Sequence, residues 1–304
     1  MTSRAKAYIA ALVYVMIIGL SFMFVKIALQ SAEPLDILAD RFSIAFLAGS
    51  FILIIKKIKL HIKFKDLLAI LPLAMFYPVL FFSFQAFGLA YATSAEAGII
   101  QACIPILTLL LAMAFLKENS SARENIFTLL SVSGVIYIFV MSGSSAQYTD
   151  IVGMVLIFFS SLAAACYNVM AKNLTRKYSA IMLTYFMTVL GMLVFNCAAL
   201  SQHIMNNTVR DYFLPFTDGS FLWSVLYLGI LSSLGSAFLS NYALGKIEAA
   251  KMSVFTNLGT LITIAAGVLF LQEQLHYFQL IGAVPIILGV IGTNYFAAKR
   301  ELKK

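Results

Sequence analysis

The sequence predicts an all-α membrane protein with ten transmembrane helices, arranged as two inverted repeats of five helices each (5+5). Of its 304 residues, 62% are hydrophobic and only 11% are charged, too apolar for the surface of an ordinary soluble domain. The apolar residues form long runs of about 20 residues, the length that crosses a bilayer as a helix. Runs of this length exclude barrel strands, which would alternate over about 10 residues. A diverged internal repeat completes the prediction.

Short polar connections separate the predicted helices. The segments cover residues 6–29, 35–55, 67–90, 93–116, 124–141, 151–173, 179–200, 221–244, 249–271 and 277–297. The first is too long for a signal peptide and lacks a small-residue cleavage site, so we expect it to be retained as a span. Prolines that remove backbone hydrogen bonds and permit kinks lie in the third, fourth and tenth segments, at Pro72, Pro78, Pro105 and Pro285. The longest connection, Ser201 to Gly219, is predicted to be a variable surface loop and not a substrate lid.

The repeat is clearest where Phe87–Glu118 aligns without gaps to Tyr242–Glu273 at an offset of 155 residues. Six pairs are identical, both copies end in F-L-x-E, and the same offset later matches a G-V-I string in each half. The predicted halves are residues 6–141 and 151–298. Because each holds an odd number of spans, the second enters the membrane upside down, as in carriers that work by alternating access. Glu118 and Glu273 then lie at opposite faces, where each is expected to cap the start of the following helix.

Basic residues predict the orientation. With the N terminus inside, 18 of the 21 Lys and Arg residues fall on the inner side, which places both termini in the cytoplasm of a multi-pass cell-membrane protein. The net charge of +8 is therefore a mark of topology. Nucleic acid is not expected as a partner, and membrane lipids are.

A family resemblance becomes visible in the first two helices. The string G-x-S-F-x-x-x-K runs from Gly19 to Lys26, and a Pro-led second helix with an embedded Arg41 follows it. Together with the doubled F-L-x-E and G-V-I strings, this pattern resembles the EamA domain of the drug/metabolite transporter superfamily, from about Tyr8 to Ala298. Ile18 departs from the family, which often has Trp there. The resemblance implies a secondary transporter that exports amino acids or similar amphipathic compounds.

Polar residues inside the spans are the candidates for substrate contact, since an unpaired amide in lipid is costly. In the resembled family the helices that carry them surround a central cavity; the alternative is that each amide bridges neighbouring helices. The amides are Gln85, Gln101, Asn168, Asn241 and Asn257. Aromatic walls are expected from Phe22, Tyr167 and Tyr242. Lys26 is a further binding candidate that could instead extend to the membrane surface.

Ionisable groups in the spans are the coupling or gating candidates. Asp40 and Arg41 are sequence neighbours, which do not share a helix face, so we do not expect them to neutralise each other. Glu96 begins the fourth helix, where the helix dipole favours an acid. Asp40 and Glu96 are the acids nearest the predicted interior, and proton coupling through either is one hypothesis. The alternatives are that Arg41 is a structural anchor and that Glu96 is only a favourable charge at the helix N terminus.

Other function classes find little support. No P-loop or G-x-S-x-G string occurs, so no enzymatic activity and no cofactor are predicted. The three histidines and three cysteines are not spaced for a metal site: His61, His203, His276, Cys103, Cys166 and Cys197. The alternatives kept open are a flippase for a lipid or nucleotide-sugar, and a receptor or assembly protein that transports nothing. Small residues such as Gly259, Thr263, Gly267, Gly282, Gly289 and Gly292 predict close helix packing in a monomer or possible homodimer.

Overall fold

A computed structural model describes residues 3–58, 64–116, 121–145, 148–244 and 249–301, and every regular element in these ranges is helical. The α-helices are α1 (Ser3–Ala28), α2 (Pro34–Ile55), α3 (Phe64–Ala74), α4 (Phe81–Tyr91), α5 (Ser94–Gln101), α6 (Ile104–Leu116), α7 (Ala122–Ser145), α8 (Tyr148–Lys177), α9 (Ala180–Asn206), α10 (Gly219–Leu226), α11 (Ser236–Leu244), α12 (Ala249–Leu271) and α13 (Tyr277–Glu301). Helical residues overlap each of the ten predicted segments.

The all-helical, multi-pass prediction is confirmed at a coarse level. Within the described ranges, seven helical stretches are long and apolar enough to cross a membrane, and two shorter apolar helices, Leu258–Leu271 and Tyr277–Thr293, follow. Helix α2 shows how such a helix divides its surface: Leu47, Phe51 and Ile54 are exposed, whereas Asp40 and Arg41 are buried. Apolar side chains on the outside and polar ones within are what a lipid environment requires. The 5+5 count remains a prediction.

Two of the predicted helices are irregular midway: the third is kinked at Tyr77, and the eighth widens into π-helical turns. Helix α3 leads into a first π segment (Met75–Leu80) before α4, and α10 leads into a second π segment (Tyr227–Gly235) before α11. At the repeat offset of 155 residues, the first π segment aligns with residues 230–235, the end of the second. Pro78 explains the first, since it has no N–H to donate, and Tyr77 beside it is extended (φ −143°, ψ 111°). The second contains no proline, so no kink was predicted there.

The fourth predicted helix is broken at Pro105. Helix α5 ends at Gln101, and α6 begins at Ile104 after a turn through Ala102 and Cys103. Pro105 cannot donate to the Gln101 carbonyl four residues earlier, and its ring crowds that carbonyl. The chain closes the turn with bonds from Ala102 N to Gly98 O (3.1 Å) and from Cys103 N to Ile100 O (3.1 Å). Pro72 and Pro285, in contrast, lie within helices that continue past them.

Helices α7 and α13, the last of each predicted half, pack along each other inside one chain. A Cβ added to Gly289 would lie 2.5 Å from Phe127 O, and one added to Gly134 would lie 2.6 Å from Gly282 O. The Ser131 hydroxyl donates to Ile286 O (3.2 Å) across the same interface. The small residues expected to allow helix packing therefore serve contact between the two halves.

Replacing Gly289 with alanine is expected to destabilise the protein by about 1–3 kcal/mol, because the new methyl group overlaps backbone and not a flexible side-chain end. The measurement is thermal unfolding of the purified protein in detergent. Gly219→Ala is the matched control, since a Cβ at Gly219 meets nothing within 4 Å. Equal melting temperatures for the two variants would contradict this account of the interface.

Candidate functional site

Arg41 is a buried cation at the heart of the candidate site. It lies two turns into α2 and is only 1% exposed. Its Nε donates to Ser233 Oγ (2.6 Å) and its Nη2 donates to Ser232 Oγ (2.9 Å), while its Cζ stands 4.0 Å from the centre of the Phe82 ring. Within the described ranges no carboxylate lies within ion-pair distance of the guanidinium. Uncharged hydroxyls and an aromatic face are thus its partners.

Both serines that bond Arg41, Ser232 and Ser233, lie in the second π segment. Gly229 in this segment allows the close approach of α2, since a Cβ there would lie 2.8 Å from Arg41 O and would also meet the Ile44 side chain. The wider turns that follow carry Ser232 and Ser233, both buried. Irregular turns within a membrane helix commonly mark functional sites.

Aromatic rings form the other side of the same region. The Tyr77 ring centre lies 4.9 Å from that of Tyr167 and 5.1 Å from that of Phe82. Tyr77 and Tyr167 are half-buried although their neighbour Phe82 is 3% exposed. We use the term central cluster for Arg41, Tyr77, Phe82, Tyr167, Ser232 and Ser233.

Of the five predicted amides, three have described side chains. Gln85 is 4% exposed on α4, one turn beyond Phe82, and has no hydrogen bond to any described residue. Gln101 ends α5 at the Pro105 break, where its Nε2 is 3.5 Å from Ser160 Oγ. Asn168 is exposed, and its Nδ2 lies 3.4 Å from Thr108 Oγ1 on α6. The side chains of Asn241 and Asn257 lie outside the described part of the structure.

The remaining binding candidates fall in three different surroundings. Tyr167 belongs to the central cluster. Phe22 is 3% exposed in an apolar core with Val25 and Leu89. Tyr242 packs beside Phe238, with 6.4 Å between ring centres, at the other end of α11 from the second π segment. Lys26 donates to Leu89 O and Ala92 O, both at 3.0 Å, and so caps the end of α4.

Glu96 takes part in a closed hydrogen-bond arrangement at the start of α5. Its Oε2 accepts from Thr93 N (2.9 Å), while Glu96 N donates to Thr93 Oγ1 (3.1 Å), which is a capping box. Its Oε1 accepts from Gln279 Nε2 on α13 (2.8 Å). Glu96 therefore stands at the helix N terminus, as its structural alternative expected, and in addition caps the helix by hydrogen bonds. The same carboxylate also connects the two predicted halves.

Glu273 caps this same helix from the opposite half. Its Oε1 accepts from Ser94 N (2.8 Å) and its Oε2 accepts from Ala95 N (3.0 Å). The expectation that Glu273 caps the following helix is wrong, because a left-handed Gln272 (φ 54°) ends α12 and turns the chain back. Glu273 N then donates to Gly267 O (3.1 Å), which directs the carboxylate towards α5. Glu118 lies outside the described residues.

Together these contacts satisfy all four N–H groups at the start of α5, which a helix otherwise leaves without partners. Thr93 N is bonded by Glu96, Ser94 N and Ala95 N by Glu273, and Glu96 N by Thr93. We call this arrangement the α5 cap. It lies at the predicted outer side of the membrane and ties α12 and α13 to the first half.

A second polar contact between the halves surrounds Asp40. Asp40 Oδ1 accepts from the hydroxyl of Tyr212 (2.7 Å), and one turn earlier Asp36 Oδ1 lies 3.0 Å from His203 Nε2. Both carboxylates are buried. Burial, and next the Asp40 carboxylate, raise the pKa of the Tyr212 phenol above its ordinary value. The connection that was predicted to be a surface loop thus also contacts α2 through Tyr212.

Several residues of these networks were not singled out from the sequence. They are Asp36, Tyr77, His203, Tyr212, Ser232, Ser233 and Gln279. A signal existed for some: Asp36 and Asp40 are one turn apart on α2, and Tyr77 precedes Pro78. The partners Tyr212 and His203 gave none, because their contacts join distant parts of the chain.

A family model and several relatives match this chain over most of its length. The EamA-like transporter family matches twice, over residues 5–140 and 151–295. An uncharacterized transporter of Bacillus subtilis, YcxC, is 51% identical over 98% of this chain and 95% of its own length. A probable amino-acid metabolite efflux pump of Escherichia coli is 21% identical over 93% and 92%. A solved crystal structure of a protein superposes with a TM-score of 0.66 at 15% identity, over 98% of this chain and 99% of that one, which shows a shared fold.

Proposed function

Since the chain belongs to the EamA-like transporter family, which consists of transporters and not of enzymes, we propose that it is a secondary transporter. It exports a small metabolite across the cell membrane by alternating access between its two inverted halves. Amino acids or related amphipathic compounds are the proposed substrates. The E. coli relative named as a probable amino-acid metabolite efflux pump supports this class.

The central cluster carries the proposal as the substrate site. It combines a buried cation, two serine hydroxyls and half-buried tyrosines where the second π segment meets α2 and Tyr77 of the first packs against Phe82 and Tyr167. An apolar pocket with a few convergent polar groups is the usual form of a small-molecule site. Gln85 and Gln101 extend this site in the proposal, since Gln85 is buried one turn from Phe82 and Gln101 faces Ser160, whose hydroxyl donates to Phe81 O (3.0 Å).

The remaining predicted residues take supporting roles in the proposal. The α5 cap and the Asp40–Tyr212 contact hold the outer ends of the halves together, as a closed outer gate would require. Lys26 contributes to the same end by capping α4. With both termini in the cytoplasm, substrate would reach the central cluster from the inside in this conformation.

Solute counterflow in liposomes tests the proposed function. Purified protein is reconstituted, loaded with one unlabelled solute and exposed to the same labelled solute, across amino acids, organic acids, nucleosides, sugars and cationic drugs. We expect accumulation of at least one amphipathic metabolite above protein-free liposomes. Failure of every solute class would contradict the transporter proposal and favour a receptor role.

A further inference from the structure

We propose that Arg41 binds a carboxylate of the transported compound, so that the substrate is an organic acid with an apolar or aromatic body. The inference rests on the proposed transport function and names the substrate class of the central cluster. Amino acids carry such a carboxylate, whereas neutral or cationic amphipathic compounds, which the proposed transport function also admits, do not.

The first argument is the charge of Arg41. A guanidinium that is 1% exposed has lost its water and needs an anion nearby to offset the cost. The described carboxylates closest in the chain have other partners: Asp36 lies against His203 (3.0 Å) and Asp40 accepts from Tyr212 (2.7 Å). Two serine hydroxyls carry no charge. A bound carboxylate would supply the missing anion.

The second argument is the direction of the free donors. A guanidinium has five N–H groups, and the serines take one from Nε and one from Nη2. Three N–H groups on Nη1 and Nη2 have no acceptor among the described residues. Nη1 and Nη2 together form the planar fork that holds both oxygens of a carboxylate. The serines therefore fix the orientation of the group and leave that fork available.

The third argument is the location. The two π segments, which coincide at the repeat offset of 155, supply Tyr77 on one side and the two serines on the other. Interrupted helices of the two halves are where carriers bind substrate. Tyr77, Phe82 and Tyr167 then form an aromatic wall beside the charge. The ring centre of Tyr77 lies 4.9 Å from that of Tyr167 and 5.1 Å from that of Phe82. An acid with an apolar body fits both parts of this site.

Matched pairs of acids and amides test the inference. The probes are 3-phenylpropionate with 3-phenylpropanamide and L-phenylalanine with L-phenylalaninamide, together with further small acids and their amides. Binding is measured as thermal stabilisation of the purified wild-type protein in detergent. We expect stabilisation by acids and at least about tenfold weaker binding of the paired amides.

Three variants assign that preference to Arg41. Arg41→Gln is expected to weaken acid binding by about 10- to 100-fold, and Arg41→Lys, which keeps the charge but loses the fork, by about tenfold. The lysine variant decides the question where the glutamine variant does not fold. Arg210→Gln removes an exposed arginine of the outer connection and is expected to bind acids as the wild type does.

Three results of the binding measurements would overturn the inference. The wild-type protein could bind no acid of the panel, or it could bind acids and amides equally. The third is an acid preference that Arg41→Lys leaves unchanged in strength. The counterflow experiment separates the two proposals. Transport of neutral or cationic solutes alone would support the transport function but refute the inference that the substrate is an organic acid. No transport of any solute would refute the transport function itself.

Discussion

Replacement of Glu273 by alanine is expected to destabilise the protein by about 2–4 kcal/mol. The change leaves Ser94 N and Ala95 N without acceptors at the positive end of the α5 dipole, and each buried unpaired donor costs about 1–3 kcal/mol. Glu273→Gln keeps one carbonyl acceptor, so its loss of stability should be about half that of Glu273→Ala. Thermal unfolding in detergent measures both.

Ser94→Ala is the matched control for this prediction. It changes the same turn of α5 but keeps the backbone N–H that Glu273 binds. The Ser94 hydroxyl is buried and has no hydrogen-bond partner among the described residues, so its removal should be neutral or slightly stabilising. A loss of stability in Ser94→Ala as large as that in Glu273→Ala would show that tight packing, and not the carboxylate, explains the effect.

The Glu273→Ala variant also tests whether the α5 cap acts as an outer gate. Cys166 is half-buried and precedes Tyr167 of the central cluster, whereas Cys197 is exposed. In a Cys197→Ser background, a membrane-impermeant maleimide added outside intact cells should label Cys166 faster when Glu273 is replaced by alanine. Unchanged labelling would restrict the α5 cap to a role in stability.

The membrane class was predictable from the sequence because hydrophobic run length is a property of each segment alone. The repeat was predictable for a similar reason, since an offset of 155 residues is visible without any structure. The break after Gln101 follows from Pro105, but the second π segment has no local cause of that kind.

Partners across the halves could not be predicted. Both carboxyl oxygens of Glu273 bind backbone N–H groups of Ser94 and Ala95, and a backbone donor has no signature in a sequence. Arg41 was singled out as a charge that is costly within a span, and it is buried, whereas neither of its serine partners, Ser232 and Ser233, was singled out. The sequence therefore identified the residues that are costly to bury better than it identified the partners that offset this cost.

Under the hypothesis of proton coupling, Asp40 and Glu96 differ in how their carboxyl oxygens are bonded. Glu96 uses both carboxyl oxygens within the α5 cap, with donors from Thr93 and Gln279. Asp40 uses Oδ1 for Tyr212, and its Oδ2 has no donor among the described residues. A carboxylate with one uncommitted oxygen can exchange a proton without breaking a helix cap, so we favour Asp40 for this role.

Asp40→Asn is accordingly expected to bring counterflow under an imposed pH gradient down to the level without a gradient. Glu96→Gln should keep the response to pH but lower the melting temperature, because it weakens the α5 cap. Tyr212→Phe provides a third arm: it removes the hydroxyl that donates to Asp40 Oδ1 but keeps the carboxylate, so the pH response should persist. A pH response that survives in Asp40→Asn and disappears in Glu96→Gln would reverse the assignment, and it would make the α5 cap itself the element that opens on protonation.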